Sequence, residues 1–152
     1  MFMKILFVCH GNICRSPMAE FVMKDLTQKA GKKHFIIRSA ATSREEIGND
    51  IHYGTRNILQ KYHIPYEKRQ AVQITAEDYH KYDWIIGMDQ YNITNIKRQI
   101  GEDYLHKVRL LLEFTGENRD VADPWYTGDF EATYRDISNG CKALMDFLSN
   151  RA

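Results

Sequence analysis

The chain has 152 residues, 43% of them hydrophobic and 27% charged, enough to bury one substantial core and too few to divide comfortably into two. Its 21 Lys and Arg nearly cancel 20 Asp and Glu, and a net charge of +1 gives no broad electrostatic pull toward nucleic acid or anionic membrane, so recognition of an anion has to come from a local site. The apolar start turns polar after a few residues, far short of a signal segment or a spanning helix, and an odd count of 3 cysteines argues for reduced thiols rather than a disulfide scaffold; one domain over residues 1–152, in the cytoplasm, is expected.

Apolar runs alternate with amphipathic stretches, the pattern of parallel strands joined by crossover helices. The first strand is predicted over residues 4–8, and a helix over 17–29 with Met18, Phe21, Val22 and Leu26 on one stripe. A second strand is expected at 35–38, then a polar loop, then a helix over 54–62 that ends before Pro65. Strands three and four are predicted at 83–88 and 108–114, each after a helical stretch. A last helix over 130–149 carries Phe130, Tyr134, Ile137, Cys141, Leu144, Phe147 and Leu148 at three-to-four spacing, as a cover for one sheet face. The fold class is therefore α/β, with four parallel strands between helical layers. Such a sheet places ligands at the carboxyl ends of its strands, where strand order reverses.

The residues just after strand one are Cys9-His10-Gly11-Asn12-Ile13-Cys14-Arg15-Ser16-Pro17, opening with cysteine and closing with arginine after 5 intervening residues. Successive backbone N–H groups in such a loop form an anion-binding nest, and Gly11 relieves steric limits where the backbone curls. Ser16 as N-cap with Pro17 at the first helical position would start the helix beside the loop and aim its positive dipole end at an anion. Arg15 can clamp two phosphate oxygens at once. The same field favours the thiolate of Cys9 as a nucleophile. A cysteine ending a strand is by itself most simply a small core residue; the glycine and asparagine in the loop and the helix after the arginine favour the functional reading. The 6 histidines show no metal-ligand spacing, so neither metal nor cofactor is expected, and His10 can favour a bound anion.

These nine residues resemble the signature loop of the low-molecular-weight protein tyrosine phosphatases. Ser39-Ala40-Ala41-Thr42-Ser43 with Gly48-Asn49, Met88-Asp89 with Asn92, and Asp123-Pro124-Trp125-Tyr126 recur in that family in the same order, so the likeness spans nearly the whole chain. The resemblance implies a flavodoxin-like three-layer α/β/α fold and hydrolysis of phosphotyrosine in proteins through a phosphocysteine on Cys9. It implies Asp123 as general acid and then general base, Ser16 as hydroxyl donor to the Cys9 sulfur, and phosphate in a bowl formed by His10, Gly11, Asn12, Ile13, Cys14 and Arg15. Asn12 either braces the loop through Ser39 or tolerates a left-handed turn. Cys14 either forms a reversible disulfide with Cys9 or packs, and Cys141 belongs to the core. Trp125 and Tyr126 are expected to wall the cleft.

The chain departs from the family at three places. Glu45 stands about where a cleft aromatic is common, Lys68 is read in place of a bracing histidine, and Trp125 replaces a tyrosine. Two rival readings remain: a protein-arginine phosphatase, disfavoured by the branched apolar Ile13, and a phosphate- or phosphopeptide-binding module, which needs neither Cys9 nor Asp123. An arsenate reductase would need downstream cysteines, and none lies between Cys14 and Cys141.

Overall fold

The computed structural model describes residues 2–150; Met1, Arg151 and Ala152 of the expected domain lie outside the described residues. Strand β1 (Met3–Cys9) leads through the loop into helix α1 (Arg15–Lys29), strand β2 (Phe35–Ala41) and helix α2 (Tyr53–Lys61). A short helix α3 (Asp78–Lys81), strand β3 (Trp84–Gly87), helix α4 (Gln90–Ile100) and strand β4 (Val108–Leu110) follow. A 3-10 turn (Leu111–Thr115), a short helix α5 (Pro124–Thr127) and helix α6 (Phe130–Ser149) end the described chain.

All strand pairings are parallel and the order is β2-β1-β3-β4. β1 is buried on both faces because its side chains alternate between two cores. Ile5, Phe7 and Cys9 pack with Met18, Phe21 and Val22 of α1 and with Ile137, Cys141, Leu144 and Leu148 of α6. Leu6 and Val8 pack on the opposite face with Tyr79 of α3 and Ile96 of α4. The result is the expected three-layer, flavodoxin-like arrangement. Strand order reverses at β1, so the loop after Cys9 sits at the crevice where such sheets bind ligands.

Two boundaries differ from the sequence reading. The periodicity predicts that α1 starts at Pro17 with Ser16 as cap, whereas the helix starts at Arg15 and its N-cap position is Cys14, with no side-chain cap. The backbone N–H of Ser16 turns to the Cys9 sulfur instead, at 3.4 Å, and Pro17 has no N–H to leave unpaired in the first turn. The run over residues 108–114 is strand only as far as Leu110. The carboxylate of Glu113 accepts from the Leu110 N–H at 3.0 Å and Gly116 closes the turn at φ 85°, so Leu111 and Leu112 enter the core from a 3-10 turn. An apolar run of this length fits either state.

Candidate active site

Residues 9–15 curl so that donors converge on one sulfur. The Ser16 hydroxyl lies 3.0 Å from Cys9 Sγ, and the backbone N–H groups of Asn12 and Ser16 donate to it at 3.3 and 3.4 Å. The Asn12 amide nitrogen donates to Ser16 Oγ at 2.8 Å, so the serine proton is directed either to the sulfur at 3.0 Å or to the more distant Ala40 carbonyl at 3.5 Å. Two backbone N–H groups and one hydroxyl thus converge on this sulfur.

Asn12 lies beneath the bowl rather than on its wall, fully buried. It occupies the left-handed region at φ 58° and also braces the loop through Ser39 at 2.9 Å, so the two roles open at the sequence level coexist. The Ser39 hydroxyl donates to Glu20 Oε1 at 2.6 Å, and Asn12 Oδ1 accepts from the Val72 N–H. Gly11 is expected to supply the curl, but the left-handed residue is Asn12; Gly11 lines the cleft, where an added Cβ would meet Glu46 at 3.4 Å.

Lys68 is exposed, and the neighbouring Arg69 supplies the brace, donating to the Asn12 carbonyl at 2.5 Å and to Asn49 at 3.3 Å. Burial lowers its pKa, and Glu20, Asp50 and the Cys9 sulfur work against that. Arg69 and Asp89 are the contributors that spacing alone does not reveal. Asp89 caps α4 through Asn92 at 2.7 Å with one oxygen and holds Arg15 at 2.8 Å with the other. Its one sequence signal is an aspartate at a strand's carboxyl end, three residues before Asn92.

The Arg15 guanidinium is buried and held from three sides, by Asp89, by Asp123 Oδ2 at 3.3 Å and by the Val121 carbonyl at 3.0 Å. Burial opposes its charge, but the Cys9 sulfur, Asp123 and Asp89 outweigh that and raise its pKa. Asp123 caps α5, accepting from the Trp125 N–H at 3.0 Å. The Cys14 thiol is pushed up to about 12, first by burial and then by the charge of the Cys9 sulfur and Asp123. All three cysteines are free, and Cys141 is fully buried in the core.

Above this floor opens a cleft of about 710 Å³. Cys9, His10, Gly11, Ile13, Cys14 and Arg15 line its base, with Asp89 and Asp123 beside them. Glu45, Glu46, Tyr91, Trp125 and Tyr126 form the walls. His10 Nε2 meets Glu45 Oε2 at 2.5 Å on the exposed rim, so the histidine is engaged by a carboxylate. No group of three or more His, Cys, Asp or Glu side chains able to hold a metal ion occurs among the described residues, and no helix among them is long and apolar enough to cross a membrane.

Residues 4–152 match the family described as low molecular weight phosphotyrosine protein phosphatase. The chain belongs to that family. It is 42% identical over 145 residues to the low molecular weight protein-tyrosine-phosphatase PtpA of Staphylococcus epidermidis, covering 95% of this chain and 92% of that one. The crystal structure of YfkJ from Bacillus subtilis superposes with a TM-score of 0.95 at 36% identity, covering 99% of this chain and 97% of the other. SP-PTP, a low molecular weight protein tyrosine phosphatase from Streptococcus pyogenes, superposes at 0.84 with 45% identity, covering 98% and 93%. In this low molecular weight phosphatase the rim of the cleft carries the pair of Glu45 and His10.

Proposed function

We propose that the chain is a cytoplasmic, single-domain protein tyrosine phosphatase in which Cys9 is the nucleophile and Asp123 the general acid and base. The observation that carries this reading is the Cys9 sulfur, with donors at 3.0, 3.3 and 3.4 Å, at the base of a cleft that also holds Arg15 and Asp123. An entering phosphoryl dianion takes the Arg15 guanidinium as a two-pronged partner, which frees Asp123 from its ion pair. The sulfur then attacks phosphorus, the bond from phosphorus to the tyrosyl oxygen breaks, and that oxygen receives the Asp123 proton. In the second half, the Asp123 carboxylate takes a proton from water as the water oxygen attacks phosphorus. The thiolate departs onto the same three donors, and inorganic phosphate leaves. Trp125 and Tyr126 offer aromatic faces to the tyrosyl ring, and a reducing compartment keeps Cys9 a thiol.

The test is hydrolysis of phosphotyrosine and phosphoarginine peptides, with chelator present, by wild type, Cys9→Ser and Asp123→Ala. Cys9→Ser is expected to abolish turnover while still binding phosphotyrosine peptide, and Asp123→Ala to lower kcat on the order of 10²-fold or more. Preference for phosphoarginine overturns the substrate assignment, and turnover surviving in Cys9→Ser overturns the mechanism.

A further inference from the structure

His52 takes no part in the chemistry above, yet it touches both of the loops that the chemistry needs. Its backbone N–H donates to the Ile13 carbonyl at 2.8 Å, and Thr55 on the next turn donates to the Cys14 carbonyl at 3.1 Å. Two carbonyls of the nucleophile loop are therefore anchored on the start of α2. The His52 ring meanwhile lies parallel to Phe130, with centroids 5.4 Å apart and 7° between planes, and meets Trp125 edge-on at 5.9 Å. Trp125 is the residue whose N–H donates to Asp123, and Phe130 opens α6 just past the acid loop.

The orientation of this ring is determined by its surroundings. Its Nδ1 accepts from the Gly54 N–H at 3.1 Å as the cap of α2, and Tyr53 stacks on it at 4.3 Å. Gly54 is needed for the Phe130 contact, because a Cβ there would fall 2.3 Å from the Phe130 ring. A helix cap alone requires only a short polar acceptor, such as asparagine. An aromatic ring shared with Trp125 and Phe130 is more than capping needs.

We propose that His52 is a positioning residue for Asp123, locking the acid loop against the nucleophile loop through Trp125. The proposal rests on the phosphatase reading above. Its consequence is specific to the acid step: loss of the ring matters in proportion to how much the leaving oxygen needs a proton.

The test is kcat/KM on aryl phosphates whose leaving phenols run from dinitrophenol to phenol itself, with melting temperature measured alongside. Wild type is expected to depend only shallowly on the leaving group. His52→Asn keeps a cap acceptor and loses the ring; its melting temperature is expected to fall with the lost ring contacts, and at temperatures where it is folded kcat/KM on phenyl phosphate is expected to fall about tenfold while that on dinitrophenyl phosphate stays within about twofold, a fraction of what a general acid contributes. His52→Phe keeps the ring and loses the cap, so it is expected to melt lower yet keep the shallow dependence. Asp123→Ala is expected to be steep, and adding His52→Asn to it to make it no steeper. Trp125→Leu, at an exposed position, breaks the same contact from the other side and is expected to steepen the dependence. A wild-type slope in Trp125→Leu overturns the proposal even if His52→Asn fails to fold. So does an equal fall on every substrate, or no change, in His52→Asn. A wild type inactive on the whole series overturns the phosphatase reading as well, whereas an active wild type with unchanged variant slopes overturns this proposal alone.

Discussion

Asn12 shows how much one side chain in this site carries. Its side-chain nitrogen joins Ser16 and Ser39, its Oδ1 takes the Val72 N–H, and its backbone N–H donates to the Cys9 sulfur. Asn12→Ala leaves the Val72 N–H and two buried hydroxyls short of a partner, so a loss of about 1–3 kcal/mol is expected in urea denaturation, together with a fall in kcat/KM. Proton supply sets a second expectation. Because the proposed mechanism needs a nucleophile without its proton and an acid with one, kcat/KM is expected to follow a bell-shaped pH profile, and a rate flat across pH contradicts the assignment. Cys9 and Arg15 were legible because their partnership spans a single loop. The roles of Arg69 and Asp89 were not, since only the fold brings residues so distant in sequence to that loop: no spacing marks Arg69, and the interval from Asp89 to Asn92 marks a helix cap rather than a partner for Arg15.

At the scale of elements, the helices and strands were read from their apolar periods, and errors fell where a run had two solutions. The start of α1 was obscured because Ser16 and Pro17 look like a cap and first helical residue, yet the sulfur claims the Ser16 N–H and hydroxyl. The end of β4 was obscured because residues 108–114 suit a strand as well as a buried turn. That turn depends on α6 coming close: a Cβ on Gly140 would lie 2.5 Å from Leu111. Gly140→Ala is therefore expected to cost about 1–3 kcal/mol through overpacking, visible as a lower melting temperature. Because Gly140 lies away from the cleft, kcat/KM of the folded variant is expected to stay near wild type.

Across the whole molecule, the buried thiols link stability to alkali. Burial raises the pKa of Cys14, from an ordinary 9.0 to about 12, and also raises that of Cys141. The folded chain then keeps protons that the unfolded chain releases above about pH 9, so stability falls as pH climbs, by up to about 1.4 kcal/mol per pH unit for each thiol. Melting temperatures between about pH 8 and pH 10.5 are expected to drop more steeply for wild type than for Cys14→Ala. The parallel sheet as a whole was legible, because βα alternation is written locally along the chain, while the order of its strands is a long-range property. That order has a consequence during synthesis. Ile5 of the central strand waits for Trp84, and α1 waits for α6, which follows all four strands in the chain. A nascent chain stalled midway thus exposes its early thiol with no proton donor opposite and an uncovered oily helix beside it. Such a fragment, with apolar surface and strand edges uncovered, is prone to aggregate until the later segments arrive.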